Sequence, residues 1–381
     1  MDNESQSRNS TFEILRILGM FLIVASHAFP DPFRPLEDVT LASLLTNVLL
    51  SGGKVGAALF FIISGYFLYS SKKISFSRIK NLEVKALFVS YLFLFLAIIT
   101  NCSLLYEEVS FPLINGLDFI DFIIKSPIFL TFYRTYNSFF IKEALPTLSF
   151  SYWFVSDYII LELLRPFLFK KLGTGKKLII ALGVLFSCFI LAPTILWGFG
   201  INLLIEPFLA LFYYLLGGYF KNAKKVTSPS KANASLIVAF LSYLAITFLV
   251  SISQLIKIPF AKSVISYLNW FDSPLVLVCS LFLFLWARNK KPFENTIVNQ
   301  IASLTIYVYL IHENVWARTF LFQVIFHLPM FQEDSLLPLY ILVSSLITFV
   351  FCSLTGYLIQ IKLPRIKETI NPYFSAKFRR V

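Results

Sequence analysis

Long apolar runs recur along the whole chain, and they restrict its fold more than any other feature of the sequence. Hydrophobic residues make up 57% of the 381 residues, and only 14% are charged. The hydrocarbon core of a bilayer offers no water to backbone amides and carbonyls, so chains of this kind cross it as internally hydrogen-bonded helices. The runs are long enough for spans of about 20 residues. The sequence therefore predicts an all-α polytopic membrane protein.

Hydropathy predicts about ten transmembrane helices. We expect them near residues 12–29, 45–70, 84–104, 150–169, 178–199, 203–220, 234–256, 268–287, 297–316 and 336–361. The stretch 111–140 carries Asp118, Asp121 and Arg134 between apolar patches, which predicts an outer loop with an interfacial or re-entrant helix. Because no polar stretch is long enough for a soluble domain, residues 1–381 are predicted to form a single membrane-embedded domain.

Basic clusters occupy every second connection between the apolar runs. The connection after the second run contains Lys72, Lys73, Arg78, Lys80 and Lys85, and similar clusters follow later runs. The positive-inside rule identifies such connections as cytoplasmic, so both termini should be cytoplasmic in a multi-pass protein of the cell membrane. The net charge of +12 lies in these connections. It therefore indicates how the chain is oriented in the membrane, and we expect no nucleic-acid partner. The four cysteines have no paired spacing, so they predict neither a disulfide framework nor a metal site.

An arginine and a histidine lie within the first apolar run, where titratable groups are costly and indicate function by default. Arg16 and His27 are eleven residues apart in the sequence. That spacing is about three helical turns, so both side chains project from nearly the same face, with a rise of roughly 16 Å between them. A structural interpretation is also open, in which Arg16 snorkels to one membrane surface and His27 lies in the opposite interface.

Further titratable residues lie towards the outer ends of other runs, and one lies deeper in the fourth run. They are Asp157, Glu162 (the deeper one), Glu206, Asp272 and the pair His312–Glu313. Groups at comparable depth on separate helices indicate a shared polar cavity, although a structural role stays open for each one. Trp153, Trp197 and Trp270 lie near the ends of runs, where tryptophan is typical of interfacial anchors.

Four local patterns occur in order along the chain. The first is Arg16 with His27, and the second is FFIISGYFL at residues 60–68, followed by a basic stretch. Trp153 with a proline thirteen residues later forms the third, and SLTIYVYLIH at residues 303–312 forms the fourth. Together these patterns resemble the acyltransferase-3 family of integral membrane acyltransferases. Within the second pattern, Ser64 and Gly65 also favour close helix packing through small residues.

The resemblance implies a fold of about ten helices that transfers an acyl group, usually acetyl from acetyl-CoA, to a hydroxyl of an envelope polysaccharide or its precursor. The family's essential arginine and histidine correspond to Arg16 and His27, and its basic residue after the Ser-Gly pair corresponds to Arg78. The implied partners are an acyl-CoA co-substrate, a cell-surface glycan or lipid-linked sugar acceptor, and the bilayer, with no tightly bound cofactor.

The sequence departs from the family pattern at two places. The family's double-arginine stretch keeps only Arg78, with Lys80 two residues later, and lysine cannot make the planar bidentate contact of arginine. In one large branch an acidic residue follows the tryptophan by five positions. Here Tyr158 occupies that position and Asp157 precedes it.

Acyl transfer to a hydroxyl needs a base for the hydroxyl proton, or a nucleophile that carries the acyl group. Histidine suits both tasks, so we hypothesise that His27 does this work. Arg16, Arg78 and Lys80 would hold the CoA phosphates at the cytoplasmic mouth. The pantetheine arm would then rise along the first helix and present its thioester to His27. The candidates for contact with the acceptor, or for supporting such contacts, are Asp157, Glu162, Trp153 and His312.

Two other classes of membrane protein stay open as alternatives. A glycan polymerase or flippase is expected to bind lipid-linked pyrophosphate on a basic outer loop, whereas residues 105–149 are weakly acidic to neutral. A secondary transporter is expected to contain inverted repeats and paired broken helices, and the sequence shows no convincing repeat. The motifs therefore favour the transferase.

Overall fold

The computed structural model describes residues 9–28, 40–100, 152–196, 206–223, 227–256, 258, 267–314, 317–318, 320–331 and 334–378. Over these residues the chain is helical and contains no strand. The predicted outer loop at 111–140 and Trp197 lie outside the described residues.

Five helices make up the first part of the described chain. They are α1 (Ser10–Ser26), α2 (Leu41–Leu50), α3 (Gly53–Leu68), α4 (Phe76–Thr100) and α5 (Trp153–Leu172). The second part begins with α6 (Lys176–Phe186), which continues through a π-helical segment (Ser187–Leu191) into α7 (Ala192–Leu196). The helices that follow are α8 (Glu206–Asn222), α9 (Pro229–Leu255), α10 (Pro274–Asn289), α11 (Thr296–His312) and α12 (Leu337–Phe378). Short π-helical and 3₁₀ segments, Phe320–Ile325 and Leu328–Phe331, lie between α11 and α12.

Within the described ranges, four helical stretches are long and apolar enough to cross a membrane. They are Leu41–Leu68, Lys176–Ile195, Pro229–Ser253 and Leu337–Ile361, and α10 and α11 are shorter apolar helices. The helical architecture and these spans confirm the predicted class of an all-α membrane protein. The count of ten spans and the cytoplasmic position of both termini stay predictions.

Two predicted runs differ from the observed helices in ways that shape the site. The run 45–70 is divided at Ser51 and Gly52, so the chain turns between α2 and α3. The run predicted to begin at residue 268 becomes helical only at Pro274, because the Ser273 side chain accepts from the Leu275 amide and caps the helix. Residues 267–273 instead form a turn, which carries Asn269 and Trp270.

Helix α3 lies in the middle of the packing and contacts α1, α8 and α10. A Cβ atom added to Gly65 would collide with the Tyr214 carbonyl oxygen on α8, and one added to Gly217 would collide with the Ile62 carbonyl oxygen on α3. Such close backbone approach needs small residues on both helices. The prediction that the Ser-Gly pair serves helix packing is thus confirmed at Gly65.

Candidate active site

His27 lies directly after the last residue of α1, beside the end of α11. Its Nδ1 atom is 3.2 Å from Nε2 of His312 and 2.8 Å from Oε2 of Glu313. The two imidazole rings are stacked, with centroids 5.4 Å apart. We call His27, His312 and Glu313 the His–Glu cluster. It joins the first and eleventh helices and brings together residues separated by 285 positions in the sequence.

The hydrogen bonds of the His–Glu cluster determine which ring nitrogen of His27 carries a proton. Nδ1 of His312 is 2.6 Å from the Val308 carbonyl oxygen, which can only accept, so this nitrogen is protonated. In the neutral ring, Nε2 of His312 is then an acceptor. Nδ1 of His27 faces that acceptor and a carboxylate, so it must be the donor. This leaves Nε2 of His27 with a lone pair for a substrate.

Glu313 supplies buried negative charge to the cluster. Its side chain is 8% exposed, and Oε2 also lies 3.8 Å from Nη1 of Arg318. Although Oε2 is close to His27, it makes no well-aligned hydrogen bond with any residue that the structure describes. We therefore treat its 2.8 Å contact with His27 as chiefly a charge interaction, which stabilises the protonated imidazole.

A cavity of about 270 Å³ adjoins His27. Its wall is built from α1, the break between α2 and α3, α5, the turn 267–273, α11 and the segment after α11. The polar and aromatic residues of the wall include His27, Ser26, Ser51, Lys54, Trp153, Asn269, Trp270, Tyr309 and Arg318. A mostly apolar concavity with a few polar groups is typical of a small-molecule site.

A second charged cluster lies towards the other end of α1. Arg16 donates to Glu13 at 2.7 Å, and Arg78 at the start of α4 pairs with Glu162 of α5 at 3.2 Å. Arg165 also pairs with Glu162, at 2.9 Å. Tyr158 lies close enough to both Arg78 and Arg16 for charge interactions, so the two predicted donor-binding arginines share one region.

Aromatic rings pack together at the cavity wall, which includes Phe154 and Tyr309. Phe154 contacts Phe60 and Phe61, with centroids 5.7 Å and 4.7 Å apart, and it contacts Tyr309 at 5.6 Å. On α1 the wall of the cavity reaches Ile23 and does not include Arg16. The structure thus places Arg16 and His27, the two predicted ends of the path for the pantetheine arm, in separate polar regions.

The structure divides the other predicted site residues between these regions. Trp153 lines the cavity, and His312 contacts His27. Glu162, predicted as a candidate for acceptor contact, instead binds Arg78 and Arg165 in the charged cluster. Asp157 is buried on α5 and is not among the residues that line the cavity. Lys80 is exposed on α4, near the end that carries Arg78.

Four residues of the site received no specific role from the sequence: Lys54, Asn269, Glu313 and Arg318. Glu313 follows His312 directly in the sequence, and this adjacency was the local signal that could have indicated Glu313 as a partner of His27. Lys54 interrupts an apolar run between two close glycines, but nothing local connects it with the turn 267–273. Trp270, predicted as an interfacial anchor, lines the cavity beside Asn269.

The His–Glu cluster also has the composition of a metal site. One ligand atom from each of His27, His312 and Glu313 lies within 4.8 Å of the others. The bond from His312 Nδ1 to a backbone carbonyl is the arrangement that metal-bound histidines commonly have. Two histidines and a glutamate leave a fourth position open in catalytic zinc sites. Chelation therefore tests whether the cluster acts through its protons or through a metal.

Comparison with known proteins agrees with the geometry. A family model described as an acyltransferase domain, the acyltransferase-3 model, matches residues 9–357, from the residue before α1 into α12. No curated protein matches the chain, and no solved structure does. The match spans both clusters and the cavity, and it covers nearly the whole sequence. The chain therefore belongs to the acyltransferase-3 family.

Proposed function

We propose that this protein is an integral membrane O-acyltransferase that moves an acetyl group from acetyl-CoA to a hydroxyl of an envelope polysaccharide or its precursor. The observation that carries the proposal is the anchored imidazole of His27. Its Nδ1 is held by His312 and Glu313, and the residue lines a cavity large enough for a small ligand. An imidazole whose Nδ1 is held in place and whose positive charge is stabilised by a nearby carboxylate is suited to act as a general base.

The reaction follows from that arrangement. Nε2 of His27 removes the proton of the acceptor hydroxyl while the hydroxyl oxygen attacks the thioester carbonyl carbon. The C–S bond then breaks, the acetyl group stays on the acceptor oxygen, and the imidazolium returns its proton to the departing CoA thiolate. Glu313 stabilises the imidazolium between these steps. In a second route, Nε2 attacks the thioester carbonyl carbon first, the C–S bond breaks and CoA leaves as a thiolate. The acceptor oxygen then displaces the imidazole from the acetyl group, and the acceptor proton passes to the thiolate.

The donor would bind at the opposite end of α1. Arg16, Arg78 and Lys80 offer the cationic groups that bind phosphates well. Arg78 is already paired with Glu162, so a CoA phosphate has to compete with that carboxylate. The thioester would reach His27 past the rings of Phe60, Phe154 and Tyr309, along a rise of roughly 16 Å.

Substitution of His27 tests the proposal. We expect His27→Ala to abolish ester-linked acetate on the surface glycan of cells, because loss of a general base alone costs about 10²–10⁴-fold in rate. The matched control is His327→Asn, which changes an exposed histidine with a positive φ to a residue that tolerates this conformation. Membrane insertion of both variants is checked by immunoblotting of the membrane fraction.

Retention of normal acetate by an inserted His27→Ala protein would overturn the assignment. Unchanged acetate together with shortened glycan chains in a gene deletion would instead support a polymerase. Neither result is expected, because His27 lines the cavity and its imidazole contacts both His312 and Glu313.

A further inference from the structure

The cavity wall beyond His27 carries polar groups that the proposed reaction does not use. Lys54 comes from α3, Asn269 and Trp270 from the turn 267–273, and Trp153 from the start of α5. These elements are distant in sequence, and the fold brings them to one cavity. Their side chains combine flat aromatic surface with hydrogen-bonding groups.

Asn269 is the most informative of these residues. It is 8% exposed, and its Oδ1 atom has no hydrogen-bond partner among the residues that the structure describes. A buried polar atom without a partner lowers the stability of the fold, so native proteins rarely retain one. An amide in the wall of a cavity avoids this cost when a ligand hydroxyl donates to it.

Lys54 is held near the aromatic part of the wall. Its Nζ atom lies 6.0 Å from the ring centroid of Trp153. Asp272 of the turn 267–273, which is 1% exposed, lies close enough to Lys54 for a charge interaction. The ammonium group belongs to a residue that lines the cavity, where it can donate to ligand oxygen atoms.

We propose that Lys54, Trp153, Asn269 and Trp270 form a subsite for one sugar residue of the acceptor. The inference rests on the proposed function, and it names the part of the acceptor that the cavity recognises. A pyranose presents a C–H face, which packs on an indole ring, and hydroxyls, which bond to an amide and an ammonium group. The cavity of about 270 Å³ is near the lower limit of roughly 300–1,000 Å³ for ligand pockets, so it suits a single sugar ring.

Kinetics of the purified protein in nanodiscs test the subsite. The acceptor is unacetylated surface polysaccharide from a strain that lacks the gene, and the donor is radiolabelled acetyl-CoA. We expect Asn269→Ala and Lys54→Ala each to raise the KM for polysaccharide at least tenfold, with the KM for acetyl-CoA unchanged. The control is Trp286→Ala, which removes a partly buried indole near the far end of α10.

The subsite proposal would be overturned if the KM for polysaccharide stayed within twofold of wild type in both Asn269→Ala and Lys54→Ala. Acetyl transfer by the wild-type protein in the same assay would still support the proposed function. Equal increases in both KM values would also overturn the subsite proposal, because they indicate a general defect. If the wild-type protein transfers no acetyl group, the proposed function fails as well.

A binding measurement tests the subsite without catalysis. We expect unacetylated polysaccharide to quench tryptophan fluorescence of the wild-type protein in nanodiscs. The quench should fall by at least half in Trp270→Phe and be unchanged in Trp286→Phe. Absence of any quench, or equal loss in the two variants, would overturn the proposal.

Discussion

Replacement of Glu313 by glutamine tests the role of the His–Glu cluster most directly. The change keeps the size of the side chain and removes its charge. Oε2 lies 2.8 Å from Nδ1 of His27, and the side chain is 8% exposed. Two unit charges about 4 Å apart interact by about 4 kcal/mol at an effective dielectric constant of about 20.

The expected loss is smaller than this full interaction. The imidazolium is only partly formed in the transition state, and Arg318 at 3.8 Å already shares the charge of Glu313. We therefore expect Glu313→Gln to lose about 3 kcal/mol of transition-state stabilisation, which is about 10²-fold in kcat. The KM values for polysaccharide and acetyl-CoA should change little, because the carboxylate acts on a charge that develops during the reaction.

The assay is steady-state acetyl transfer by purified protein, with Glu294→Gln as the matched control at an exposed carboxylate. Both variants should elute as the wild-type protein does in size-exclusion chromatography. A kcat for Glu313→Gln within threefold of wild type would refute the reasoning, since the buried charge would then contribute little to His27.

Three further predictions concern the metal question and the packing. Extended dialysis against EDTA should leave acetyl transfer unchanged, and loss of activity restored by Zn²⁺ would show that the His–Glu cluster binds a metal. Gly65→Ala should lower folded yield and thermal stability because the added Cβ atom would collide with the Tyr214 carbonyl. The control Gly183→Ala adds a Cβ atom that meets no neighbour in the described structure, so it should be neutral or stabilise the protein by up to about 1 kcal/mol. Glu162→Gln should lower the free energy of unfolding by about 3–5 kcal/mol, because it leaves the buried guanidinium of Arg165, which is 1% exposed, without its carboxylate partner. An unchanged melting temperature in detergent would contradict this prediction.

Local sequence patterns predicted some residues of the candidate site. The eleven-residue spacing on one helix identified Arg16 and His27 together, and the late motif identified His312. The prediction for Arg16 and His27 rests on helical periodicity and on the cost of charge in a bilayer, which depend on a few neighbouring residues. The prediction for His312 rests on the resemblance of the late motif to the family pattern. Nothing local indicated that the carboxylate of Glu162 would bind Arg78, because that contact depends on how α4 and α5 approach each other.

The sequence by itself determined the helical membrane class, because hydrophobic length is a property of consecutive residues and a bilayer permits few solutions to it. The tertiary structure decided which polar groups meet. It placed Glu313 beside His27, and it placed Asn269 and Trp270 in a turn on the cavity wall, where hydropathy predicted a span. The physical reason is that these contacts join residues from separate helices, and only the packing of those helices selects the partners.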